Sequence, residues 1–130
     1  MNIRMLLAGA AALALISAPA FAEDYAGGAV KTADIGGKQV LTDANGMTLY
    51  TFDKDTAGVS NCYDQCATNW PPAMAAAGAA ADGDFTIVDR TDGTKMWAFK
   101  GMPLYLWVKD TKAGDVTGDG VGGVWHTAVE

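Results

Sequence analysis

Cys62 and Cys66, four residues apart in "NCYDQC", are the only thiols in this 130-residue chain. In an oxidising compartment two such thiols pair, so a disulfide is expected. At i,i+4 on one helical turn their Cα atoms stand near the bridging limit, and the turn must tighten or unwind to close the bond. The ring is small, so loop entropy contributes only about 2 kcal/mol and the bridge staples its own segment. The competing chemistry is a copper site, with Cu(I) held by both cysteines and Met47, Met102 or His126. A blue-copper centre needs two histidines, and His126 is the only one. A Cys₂His zinc site would need reduced thiols. Haem attachment is excluded because no histidine follows the second cysteine, and the spacing differs from a thioredoxin-type pair.

"DVTGDGVGGVWH" resembles half a calcium-binding loop, with Asp115, Thr117 and Asp119 at positions 1, 3 and 5 and Gly120 at position 6. Position 12, ordinarily a bidentate glutamate, is His126, which removes two oxygens from the set. The bland reading is a glycine-rich loop whose aspartates satisfy turn backbone. Nucleophilic catalysis finds no foothold. There is no Gly-x-Ser-x-Gly, Ser60 is the only serine after the leader, and no carboxylate pair stands out by spacing.

The leader sets the compartment. "MNIRMLLAGAAALALISAPAFA" has a basic Arg4, an apolar run from Met5 to Ile16 too short to span a bilayer, and an Ala20-Phe21-Ala22 cleavage site. An export signal over 1–22 and a single β-rich domain over 23–130 are expected, in the periplasm or secreted. No cysteine stands at the cleavage point, so no stable membrane anchor is expected after cleavage. The whole chain carries a net charge of −6, and loss of Arg4 makes it more acidic. Such a surface repels phosphate backbones, so nucleic acid is not an expected partner, and a monomer is expected.

Short strands and tight turns must position these residues. "KQVLTD" and "MTLYTFD" flank Asn45-Gly46, and "FTIVDR" and "KMWAFK" flank Asp92-Gly93, both hairpin signals. "MPLYLWVK" reads as a strand covered on both sides, with Pro103 at its start, and "VWHTAV" as the last strand. "NCYDQCATNWPP" reads as a short helix with Asn61 as N-cap. The Ala-rich segment 73–84 is a loose helical turn or a loop.

"GMTLYTFDKD" is written again fifty-five residues later as "GMPLYLWVKD". Tyr50 pairs with Tyr105, Phe52 with Trp107, Asp55 with Asp110, and further on Trp70 with Trp125. The expected architecture is mainly β: a small antiparallel sheet, sandwich or barrel-like domain of two pseudo-repeats, near 36–72 and 94–130, with one short helix. The repeated rings are expected in the interior, each worth roughly 1.5–3 kcal/mol from buried area. Asp55 and Asp110 are expected to close Asx-turns past the strand ends.

The motif Tyr-x-(Phe/Trp/Tyr)-x-x-Asp, present as "YTFDKD" and "YLWVKD" beside "NCYDQCATNWPP" and "GDVTGDGVGGVWH", resembles the bacterial secreted-repeat family described as predicted lipoproteins. The resemblance implies an exported, β-rich domain of unknown activity and supplies no catalytic residues. The expectation is an exported, non-catalytic binding or accessory domain. The alternatives are a periplasmic copper- or calcium-handling or redox protein, and an extracellular carbohydrate-binding or carbohydrate-active protein that uses exposed Tyr, Trp and Asp.

Overall fold

The computed structural model describes residues 23–130; the expected export signal lies outside the described residues. Eight strands, β1 (Asp24–Tyr25), β2 (Val30–Ile35), β3 (Lys38–Asp43), β4 (Tyr50–Phe52), β5 (Phe85–Asp89), β6 (Lys95–Phe99), β7 (Met102–Pro103) and β8 (Trp125–Thr127), accompany one short helix, α1 (Gln65–Asn69). They form three small antiparallel sheets, ordered β1-β2-β3, β4-β8 and β5-β6-β7, and no barrel closes. No helix among the described residues is long and apolar enough to cross a membrane.

The two glycine hairpin turns form as their sequences require. Gly46 (φ 85°) and Gly93 (φ 89°) take the left-handed conformation open to glycine. Asp43 N–H donates to Met47 O and Gly46 N–H to Asp43 O, and Arg90 N–H donates to Thr94 O and Gly93 N–H to Arg90 O. The strand opposite β3 over most of its length is β2, in register from Val30↔Asp43 to Ile35↔Lys38 around Gly36-Gly37. "MTLYTFD" is ordered as a strand only at 50–52.

Backbone hydrogen bonds relate two halves by an internal pseudo-two-fold. Leu49 N–H donates to Leu41 O, and Leu104 N–H to Trp97 O. Ala128 sits between Leu41 and Leu49, donating to Leu49 O and accepting from Leu41 N–H; Ala73 stands identically between Trp97 and Leu104. At the centre Tyr50 and Tyr105 exchange both backbone bonds, at 2.8 and 2.9 Å. One apolar cluster holds Val30, Leu41, Leu49 and Ala128 with their counterparts Phe85, Trp97, Leu104 and Ala73, four residues from each half. The second cluster holds the motif rings.

Two expectations need correction. "MPLYLWVK" is not one strand. After Pro103 its amides turn to successive neighbours: Tyr105 N–H to Tyr50 O, Leu106 N–H to Pro71 O and Val108 N–H to Asn69 O. It threads between sheets, so Leu104 is buried while Val108 is 49% exposed in the turn beyond. The helix N-cap is Asp64, not Asn61, with Asp64 at φ 55°. Asn61 is engaged elsewhere, its N–H on Asp55 Oδ1 and its Nδ2 on Lys54 O.

Candidate functional site

The repeated motif forms the most concentrated polar arrangement in the described residues, and it is crossed. Tyr50 OH donates to Asp110 Oδ2 at 2.6 Å, and Tyr105 OH donates to Asp55 Oδ2 at 2.6 Å. Each half thus supplies the hydroxyl for the other half's carboxylate. Both tyrosines are fully buried, and Asp55 and Asp110 are nearly so. A buried carboxylate needs several donors to offset its lost hydration. Asp55 Oδ1 accepts from Asn61 N–H at 2.7 Å; Asp110 Oδ1 accepts from Thr117 N–H at 2.9 Å and Thr117 Oγ1 at 2.6 Å. The expected Asx-turns are therefore replaced by wider loops, six and seven residues long, closed by the same kind of N–H to carboxylate bond.

The two networks end differently. Ser60 Oγ lies 2.5 Å from Tyr105 OH and accepts from Arg90 Nη1 at 2.9 Å, while Arg90 Nη2 donates to Cys62 O at 2.8 Å. A hydroxyl relay, Arg90 to Ser60 to Tyr105 to Asp55, thus joins a buried cation to a buried anion. In the other half Tyr50 OH accepts from Gly118 N–H at 3.2 Å. Desolvation pushes the Asp55 carboxyl above its ordinary value, partly countered by Tyr105, Asn61 and Arg90. Desolvation first, then the bond to a carboxylate, raises both motif phenols far above the ordinary 10.0.

The aromatic members stack in a column. Trp107 lies on Trp70 (4.0 Å between centroids), Trp70 on Trp125 (3.8 Å, 2° between planes) and Trp125 on Phe52 (4.2 Å). The pseudo-two-fold passes between the two central tryptophans. Tyr50 meets Trp70 edge-on, and Tyr105 meets Trp125 likewise. Such pairs add about 0.5–1.5 kcal/mol each beyond area burial. A Cβ built at Gly118 would stand 2.8 Å from the Trp70 ring, so the glycine lets the backbone reach both Tyr50 OH and the column. Tyr50, Phe52 and Tyr105 are buried and Trp107 half-buried with one face on Trp70, so these rings form no open platform for a saccharide.

The structure disperses the candidate metal ligands. Cys62 and Cys66 form a disulfide, with Cα atoms 5.3 Å apart across the turn that Asp64 unwinds. Asp115 accepts from Lys112 Nζ first, then from Thr111 N–H and Lys112 N–H, which together hold its carboxyl down at about 2. Thr117 serves Asp110, and Asp119 Oδ1 accepts from Thr127 N–H at 2.9 Å. His126 is an exposed strand residue of β8 whose Nε2 lies 2.8 Å from Asp53 Oδ2. Met47 and Met102 are half-buried beside the two motif glycines, and both sulfurs that would complete their copper site are in the disulfide. Among the described residues no three His, Cys, Asp or Glu side chains converge as a metal site.

Ser60 and Arg90 were not singled out by function in the sequence. Nothing around an arginine next to a Thr-Asp-Gly turn marks it for burial. Thr117 was conspicuous, but as a calcium ligand; its spacing from Asp110, close to that of Asn61 from Asp55, was the available signal.

The family model of Lipoprotein_15, a secreted repeat of unknown function, matches the chain twice, at residues 28–74 and 86–129. The two matches fall on the two halves that the crossed tyrosines join. No curated protein and no solved structure matches the chain. Together the two spans take in well over half the sequence, and the chain belongs to this family of secreted repeats.

Proposed function

We propose that the protein is an exported, non-catalytic binding or accessory module whose duplicated motif is internal framework and whose ligand meets the outer surface. One observation carries this reading: the motif tyrosines and aspartates are buried, and their hydrogen bonds are made to one another. A carboxylate that acts on substrate must be reached by it, and these are closed off by the chain itself. The family's secreted character supports export, to the periplasm or the medium.

The test is equilibrium dialysis of the purified protein against the small-molecule extract of the producing cell's exported fraction, followed by mass spectrometry. A binding module retains a compound up to about one equivalent and leaves its total amount unchanged. Depletion of any compound by many equivalents, with a matching product, would show turnover and overturn the reading.

A further inference from the structure

The two halves are alike in backbone but differ at one place, and the difference leaves a cleft. Register fixes the equivalences. Leu41 and Trp97 correspond, with cross-strand partners Thr32 and Ile87, so Ile35 at the end of β2 corresponds to Arg90 after β5. Val40 then corresponds to Met96. In the loops, Thr117 and Asn61 bind equivalent carboxylates, so Val116 corresponds to Ser60 and Asp119 to Tyr63.

Around Arg90, with the loop of the first half laid over the sheet of the second, these positions form a packed site for a planar cation. The Arg90 guanidinium lies 4.2 Å from the Tyr63 ring centroid, bonds Ser60 and the Cys62 carbonyl, and touches Met96 Sδ at 3.6 Å. Tyr63 OH accepts from Thr91 N–H and so closes the turn above it. At the equivalent site around Ile35 every large side chain is replaced by a smaller one: arginine by Ile35, methionine by Val40, and tyrosine by Asp119. The position of Thr91 is taken by Gly36. A cleft of about 340 Å³ opens there, lined by Ile35, Gly36, Val40, Val116 and Asp119, with Lys38, Thr127 and Val129 at its margin. The removed groups are a phenyl ring and a guanidinium, and the added group is an anion.

Asp119 is held in place by Thr127 N–H on Oδ1. That bond, with lesser help from His126 and Lys38, keeps its carboxyl below the ordinary value and ionised at neutral pH. The walls are apolar, and Val116, Val129 and Asp119 are exposed, so the cleft opens to solvent. Lys38 is the opposing charge at the margin.

We propose that this cleft binds a small organic cation with a flat apolar body, placing its amidinium or guanidinium head against Asp119 and its body between Ile35, Val40 and Val116. The equivalent site on the other side of the pseudo-two-fold is filled from within by Arg90 and Tyr63. A charge-assisted pair at an open cleft, with apolar contact from Ile35 and Val40 behind it, is the chemistry of such recognition. The inference rests on the reading of the protein as a binding module.

Benzamidinium is the probe, because it joins a phenyl ring to a planar cation. Titrated into the purified protein and followed by amide chemical shifts, it is expected to bind with a dissociation constant on the order of 1 mM or tighter. The shifts should centre on Gly36, Val116, Asp119 and Thr127. Neutral benzamide should bind about tenfold more weakly, and Asp119→Asn, which keeps the Thr127 bond, should weaken benzamidinium by about the same factor. Lys38→Met should tighten it, and Val116→Trp should block it. Equal binding of benzamide and benzamidinium, shifts centred elsewhere, indifference to Asp119→Asn, or no binding at all would each overturn the proposal. A failed titration alongside retention of another compound in the dialysis would remove only this inference; turnover there would remove the binding reading as well.

Discussion

At the scale of single residues the fold is decided by where two phenol hydroxyls point. Tyr50 and Tyr105 each reach across to the aspartate of the other half, at 2.6 Å. Removing one hydroxyl leaves a carboxylate buried with one donor fewer, which costs about 1–3 kcal/mol. A double-mutant cycle resolves the partnership. Tyr50→Phe should couple to Asp110→Asn, and Tyr105→Phe to Asp55→Asn, by about 1 kcal/mol or more in urea unfolding, while Tyr50 with Asp55 should add simply. Coupling within each half rather than across would contradict the assignment. The same bonds set an alkaline limit. Both phenols hold their protons well above the ordinary 10.0, whereas in the unfolded chain they ionise near it. Their contribution to stability is therefore complete below about pH 10 and is lost as pH rises through the folded values, because the unfolded state then binds fewer protons. Spectrophotometric titration should show the two motif tyrosines ionising only as the fold is lost, Tyr25 also late because its hydroxyl donates to Glu130 and Glu23, and Tyr63, whose phenol is lowered, early. Smooth titration of all four with tertiary structure intact would count against the crossed bonds.

At the scale of elements, the disulfide-bearing loop is a local staple over a shared network. The Cys62 carbonyl accepts from Arg90, so the loop is also tied by hydrogen bonds to the relay below it. Replacing Cys62 and Cys66 by alanine should lower stability by about 2 kcal/mol, with faster hydrogen exchange confined to the segment around α1 and cooperative unfolding retained. Collapse of the whole fold on reduction would show the bridge to be more than local. Several elements were legible in the sequence because their signals are local. The glycine turns, the hairpin of β5 and β6, the short bridge and the inward-facing rings each follow from a few adjacent residues. β2 was not legible, because "VKTADI" mixes charge with apolar residues and is held as a strand by the Gly36-Gly37 turn and its partner β3. The segment after Pro103 was misread because its alternation suits a strand, while its amides bond to three different neighbours. Nor could spacing tell whether Asp55 belongs to Tyr50 or to Tyr105. That choice is made in three dimensions, and with it the burial of Arg90.

At the scale of the whole molecule, neither half has an interior of its own. One apolar cluster takes four equivalent residues from each half, and the other is a column in which Trp107 and Trp70 from different halves alternate with Trp125 and Phe52. The chain is a dimer of repeats written in one polypeptide, and the connection at 76–84 is the only covalent tie between them. Gly78 lies in that connection, and a Cβ built there meets nothing within 4 Å, so a break there disturbs little packing. The most direct measurement is therefore fragment complementation, with residues 23–78 and 79–130 produced separately and followed by near-ultraviolet circular dichroism of the stacked Trp70–Trp125 pair. Each fragment alone should lack the tryptophan signal and cooperative unfolding, and a 1:1 mixture should recover both. A fragment that unfolds cooperatively by itself, or a mixture that recovers no tryptophan signal, would contradict the account.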